Sequence, residues 1–205
     1  MRSSLPHARR GVTLIETLTV IFILSLVGVA IAIFQKDLVS FSGVISNSLI
    51  AQQDARRVLK SFAAEVRSAS PSSLGAYPIA EATGNAFTFY SDINNDGLKE
   101  KIQYFLSGNT LQKRVTRPTG TPLSYNPTND VTSTLATSVI ATTTPLFSYY
   151  DKTYAGTSTP LASPVNITAI RLVTLTMVID TGRARAPRPI VLTTQATIRN
   201  LKDNL

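Results

Sequence analysis

Near the start of this chain a single carboxylate stands at the head of a long apolar run. Glu16 follows Arg9-Arg10-Gly11 and Val12-Thr13-Leu14-Ile15, and no further ionisable residue occurs from Thr17 to Phe34. A charged carboxylate in bilayer hydrocarbon is costly unless it finds a partner. Glu16 therefore reads as a functional group, and the partner it calls for is a positive charge from another molecule. A second oxygen-rich cluster is Asp92-Ile93-Asn94-Asn95-Asp96-Gly97. Oxygen ligands at alternate positions followed by a glycine form the opening of a calcium loop, to which Leu98 would add its carbonyl and Glu100 the ninth position. Gln103 stands at the twelfth position, where a bidentate glutamate is needed, and Asn-Asn-Asp-Gly between strands is ordinary turn chemistry. The turn is the preferred reading, with Asp92, Asn94 and Asp96 as the residues on which calcium binding depends.

Other constellations are weaker. Arg183, Arg185 and Arg188 alternate with alanine and proline and could hold an anionic polymer such as DNA, but an exposed hairpin loop without a ligand is preferred. Tyr149-Tyr150 is read as packing rather than as a sugar- or surface-binding pair. The sequence contains no cysteine, and its only histidine is His7. If the segment before Val12 is removed, Ser-His and Cys-His catalysis and His-ligated zinc are unavailable. A carboxylate-only site could draw on Asp130, Asp151 and Asp180, but nothing links them. We assign no catalytic residue, no metal and no cofactor, and expect a protein that is not an enzyme.

These groups need elements to carry them. At 205 residues, with 43% hydrophobic content and a mean hydropathy of +0.12, the chain fits one membrane segment plus one modest globular domain. The formal charge is +8, and Arg2, Arg9 and Arg10 contribute three of its positive charges. The remaining excess is mild and scattered, which permits contact with nucleic acid or anionic surfaces without indicating it. Val12 to Phe34 is long enough to cross a bilayer as a helix of roughly 35 Å. Basic residues precede it, so its N-terminus is expected in the cytoplasm and the C-terminal body outside. Lys36 and Asp37 mark the exit.

No proline occurs from His7 to Ser70, and apolar residues recur at helical spacing through Leu38, Phe41, Ile45 and Leu49. A second stripe follows at Ala55, Val58, Leu59, Phe62 and Val66, interleaved with Gln52, Arg56, Lys60 and Glu65. Pro71 is the terminator. Strand-like runs then appear at Ala86 to Tyr90, Lys101 to Leu106 and Thr110 to Val115, an antiparallel meander with short turns. Residues 117–164 are read as long surface loops with one or two short strands around Pro145 to Tyr150. Ala169 to Ile179 and Ile190 to Ile198 form a C-terminal hairpin. The expected fold is α+β: a long N-terminal helix, transmembrane in its first half and amphipathic in its second, packed on a C-terminal antiparallel β-sheet domain. Its divisions are a cytoplasmic leader peptide 1–11, a membrane helix 12–35, an amphipathic continuation 36–70 and an extracytoplasmic domain 71–205.

Arg9-Arg10-Gly11 before Val12-Thr13-Leu14-Ile15-Glu16 and a single apolar helix resembles the N-terminus of type IV pilins and pseudopilins. The resemblance covers about the first 35 residues. It implies that a prepilin peptidase cuts between Gly11 and Val12 and methylates the new amino group of Val12. Val12 departs from the phenylalanine most often found there. Val29 to Phe34 lacks the proline common in the family, which leaves Gly28 as the weak point of the helix. The resemblance also implies a partner for Glu16, which becomes the fifth residue of the processed chain: the N-terminal ammonium of a neighbouring subunit. A carboxylate that snorkels to the headgroups or stays protonated is the alternative.

The C-terminal portion resembles the larger minor pilins and the J-type minor pseudopilin of type II secretion. The cues are Phe87-Thr88-Phe89-Tyr90-Ser91-Asp92, Tyr104-Phe105-Leu106 and Ile198-Arg199-Asn200-Leu201-Lys202. The implied function is a minor pilin, a structural subunit held in the inner membrane and then drawn into an extracellular or periplasmic filament. Its implied partners are other pilin or pseudopilin subunits, the prepilin peptidase, the membrane assembly platform and the lipid bilayer. A type II secretion minor pseudopilin is the alternative within that class. A permanently membrane-anchored extracytoplasmic binding protein or hydrolase is the alternative outside it, and would keep its N-terminus intact.

Overall fold

A computed structural model describes residues 11–180 and 189–201. The chain divides into two compact units, Met1–Ile45 and Ser46–Leu205. One helix, α1 (Leu14–Arg67, 54 residues), supplies the described structure of the first unit and the first element of the second. Its length follows from the absence of proline, and Gly28 lies within it without interrupting it.

In the first unit, Leu14–Val39 is a 26-residue stretch long and apolar enough to cross a membrane. Its large apolar side chains are exposed on every side, Ile21, Phe22, Leu24 and Phe34 among them. The hydroxyl side chains within it satisfy themselves locally. The hydroxyls of Thr17, Thr19 and Ser25 donate to the carbonyls of Leu14 (2.8 Å), Ile15 (2.7 Å) and Phe22 (2.7 Å). Such bonds leave no hydroxyl proton unpaired where water is absent.

The second unit combines the later turns of α1 with two antiparallel sheets. The first contains β1 (Ile79–Ala82), β2 (Ala86–Ser91), β3 (Glu100–Ser107), β4 (Thr110–Thr119) and β5 (Ser124–Ala136), in that spatial order. The second contains β6 (Phe147–Tyr150), β7 (Leu172–Ile179) and β8 (Ile190–Thr197), also in sequence order. Ala55, Val58, Leu59, Phe62, Ala63 and Val66 of α1 are buried in a core shared with both sheets. Phe62 is the centre of it, edge-on to Tyr104 at 5.1 Å and packed near Phe87 and Phe147. Polar contacts pin the same face: Glu65 accepts from Lys113 Nζ (2.6 Å) and from the Tyr104 hydroxyl (2.8 Å). The two sheets join where Phe147 N–H donates to the Gly84 carbonyl and the Tyr149 hydroxyl to that of Thr83.

The α+β class and the antiparallel sheet domain agree with the sequence expectation. The reading of 117–164 as mainly loop does not. β4 continues to Thr119 and β5 is a strand of 13 residues. β5 is an edge strand whose side chains are mostly exposed, so it has no apolar alternation to read. Its Thr and Val residues carry the β preference, and Pro127 falls where the pairing with β4 shifts register. A bulge on an edge strand is where a strand tolerates proline. The apolar island is β6, and the C-terminal hairpin is β7 and β8. The connecting arginines Arg183, Arg185 and Arg188 lie outside the described residues.

Candidate functional site

The N-terminal residues come first. Gly11, Val12 and Thr13 precede α1, and Val12 is 68% exposed. Thr13 begins the helix: its carbonyl accepts from the N–H groups of Glu16 (3.1 Å) and Thr17 (3.2 Å), and its hydroxyl oxygen accepts from Glu16 N–H at 3.3 Å. Thr13 is thus the N-cap and Glu16 the third helical residue. Thr-x-x-Glu is the spacing of a capping box, a signal present in Thr13-Leu14-Ile15-Glu16 that a purely intermolecular reading of Glu16 overlooks. A carboxylate in the first turn also interacts favourably with the helix dipole.

These local features hold the backbone of Glu16 but do not neutralise its side chain. Among the described residues, no cation lies within ion-pair distance of the Glu16 carboxylate. The positions around it are occupied by exposed apolar side chains. An α-amino group created at Val12 would stand at the opening of the same helix. Gly11 has open space around it: a side chain there would meet nothing within 4 Å.

The oxygen-rich loop folds on itself. Asp92 Oδ2 accepts from the Gly97 N–H (3.0 Å) and from Lys99 Nζ (3.2 Å). Asn94 Oδ1 accepts from Asp96 N–H (3.1 Å), Asn94 Nδ2 donates to Asp96 Oδ2 (2.7 Å), and Asp96 Oδ1 accepts from Leu98 N–H (2.8 Å). Asn95 and Gly97 take the left-handed backbone, with φ of 60° and 88°. Burial would raise the Asp92 pKa, but the Lys99 ammonium and the Gly97 and Asn95 N–H groups outweigh it and hold the carboxyl below its usual value. Asp92 Oδ2, Asn94 Oδ1 and both Asp96 carboxylate oxygens are therefore engaged by the loop's own donors and by a lysine, while Asp92 Oδ1 is buried without a hydrogen-bond partner among the described residues. Glu100, almost fully buried, accepts from Ile93 N–H at 3.1 Å and so ties the loop to β3. Among the described residues, no group of three or more His, Cys, Asp or Glu side chains is arranged to hold a metal ion.

The remaining candidates separate. Asp130 lies in β5 and accepts from Thr116, while Asp151 accepts from Thr153 in a local turn. Asp180 follows β7. Tyr149 is buried and its hydroxyl serves two carbonyls, which is a packing role, and Tyr150 packs on Tyr154 at 4.5 Å.

Comparison with known proteins bears on the N-terminus. Residues 6–32 match the prokaryotic N-terminal methylation motif. The chain therefore carries a prepilin-type motif of the kind found in type IV pilins and pseudopilins, on a helix that fits a membrane-anchored single-pass protein. No curated protein matches the chain.

Proposed function

We propose that this protein is a minor pilin, a non-enzymatic structural subunit of a type IV pilus-like filament. Cleavage falls between Gly11 and Val12, the new Val12 amino group is methylated, and assembly proceeds through the first half of α1. The observation that carries this reading is the coincidence of three things within one motif. A glycine in open space precedes the helix, Glu16 has no cation beside it among the described residues, and an apolar surface surrounds the first half of the helix on all sides. A surface apolar all round needs apolar neighbours all round. Before assembly these are lipid, and in a filament they are the corresponding helices of other subunits.

Glu16 supplies register in this scheme. Its carboxylate pairs with the Val12 ammonium of the adjacent subunit, which removes the cost of an isolated charge and fixes the axial offset. The leader stays cytoplasmic and the second unit lies outside, as the positive residues before Val12 favour.

Mass spectrometry of the mature N-terminus tests the class directly. An N-methylated Val12 is expected, and an intact Met1 would sink the proposal in favour of a permanent anchor. Glu16→Gln keeps the size and the N3 backbone bond but removes the charge. It is expected to remain membrane-inserted and cleaved yet to be depleted from sheared filaments about tenfold or more, the effect of losing an ion pair in an apolar setting. Wild-type incorporation would remove Glu16 from the assembly mechanism.

A further inference from the structure

We propose that the outer face of the five-stranded sheet carries a saccharide-binding groove. The inference is independent of the N-terminal motif, because it rests on side chains of the second unit alone. Alternation along the strands sends Phe87, Phe89, Ile102 and Tyr104 into the core and the intervening residues to the opposite face. On that face, Glu81, Gln103, Arg114 and Asp130 come from β1, β3, β4 and β5 and form one connected row. Glu81 Oε2 accepts from Gln103 Nε2 (3.2 Å) and from Thr88 Oγ1 (3.1 Å). Gln103 Oε1 accepts from Arg114 Nη1 (3.1 Å), whose Nε stands 3.6 Å from Asp130 Oδ2. Asp130 Oδ1 in turn accepts from Thr116 Oγ1. Thr88 and Thr116 are only 2% and 6% exposed although they lie on the outer face. The row therefore forms an ordered floor over them.

The floor underlies a cavity of about 470 Å³, a size ordinary for small-ligand sites. One side is built by the bulged start of β5. Tyr125 is fixed there by its hydroxyl, which donates to the Lys99 carbonyl (2.6 Å), and by its ring, 5.3 Å from that of Tyr90. Some bonding capacity is left open: Lys101 Nζ and Glu81 Oε1 have no partner among the described residues. Exposed ion pairs contribute little to stability, so stability does not account for a four-strand polar row.

The chemistry of the lining narrows the ligand. Two acids and two bases balance, which gives no field to gather a polyanion such as nucleic acid. Among the described residues the lining holds no large aliphatic side chain, so a protein partner finds no recess for an apolar anchor. What remains is a set of planar donors and acceptors held in place beside an aromatic ring. That set matches the adjacent hydroxyls and the apolar C–H edge of a sugar ring, and its prior ordering reduces the entropy lost on binding.

The test uses the full chain in a detergent without a sugar headgroup, since glycosidic detergents would compete. Glycan arrays carry three arms: neutral hexose oligomers, N-acetylhexosamine oligomers and uronate-containing oligomers. Retention of at least one class is expected, with the uronate arm preferred if Lys101 meets a carboxylate. In calorimetric titration with the retained oligomer, Lys101→Ala and Gln103→Ala are each expected to weaken binding at least about tenfold. Lys101 has no partner among the described residues, so Lys101→Ala should keep the wild-type melting temperature and separates lost binding from lost folding. Retention of no class, or wild-type affinity in both variants, overturns the proposal. So does a photo-crosslinker at position 101 that captures another protein on cells and no glycan.

Discussion

Residues 14–39 and residues 51–66 are parts of one helix, and both carry many apolar residues, chiefly Leu, Ile and Val in the first and Ala, Val, Leu and Phe in the second. They differ in what surrounds them. Phe22 in the first stretch is 61% exposed and Phe62 in the second is fully buried. The later turns place charged and amide residues on one side only, and the apolar side meets Phe87, Tyr104 and Phe147. The earlier turns are apolar around the whole circumference. Apolar content alone therefore does not tell where a helix finds its packing. One-sidedness points to a partner within the chain, and uniformity points to one outside it.

Breaking the inner contacts should have the largest effect. Phe62→Ala removes the ring at the centre of the core and is expected to cost about 3–5 kcal/mol of domain stability, read from chemical denaturation of the full chain. Next comes alkaline pH. Burial, joined by the nearby Glu65 and Glu81 carboxylates, pushes the Tyr104 and Tyr149 hydroxyls well above their usual range. A folded pKa raised above the unfolded value near 10 means the unfolded chain ionises first. The stabilisation is complete below pH 10 and is lost as pH rises above it, by about 1 kcal/mol per tyrosine between pH 10 and 11. Tyr149→Phe should remove its share of that slope, and an unchanged slope would refute the assignment.

Glu65→Ala is expected to cost about 1–3 kcal/mol, because it strands the Lys113 ammonium and the Tyr104 hydroxyl in a largely buried place. The double variant with Lys113→Met should recover part of that loss, and strict additivity would show the pair to be uncoupled. The smallest effect sharpens the comparison. Ile23→Ala is expected to leave domain stability within about 0.5 kcal/mol of wild type, since Ile23 is exposed and not part of the buried core. A loss comparable to that of Phe62→Ala would mean that the first half of α1 shares the core of the second unit.

Much of this arrangement is legible in residue order. The uniform apolar run, the one-sided stripe from Ala55 to Val66 and the alternating strands β2, β3, β4 and β7 each repeat a pattern set by local geometry. β1 and β5 are different. β1 is four residues long, and β5 is an exposed edge strand containing a proline, so neither shows an alternation to count. They become strands because a neighbour offers a row of unpaired backbone groups. The calcium-like spacing at Asp92, Asn94 and Asp96 is legible too, but spacing cannot say whether the oxygens are free. Lys99 and the Gly97 N–H are found on Asp92 only once the loop is closed.

The residue order alone determined the prepilin-type motif, because Gly11, Glu16 and the apolar run are consecutive and depend on no distant contact. It determined the helix as well, since capping, proline exclusion and periodicity are local. Only the tertiary structure decided which carboxylates are occupied and which polar side chains line up. Glu81, Gln103, Arg114 and Asp130 are separated by as many as 49 positions (81 to 130), and it is strand register that sets them in one row. Register is a pairing between distant segments, chosen by the burial of the opposite face. No reading of neighbours along the chain contains it.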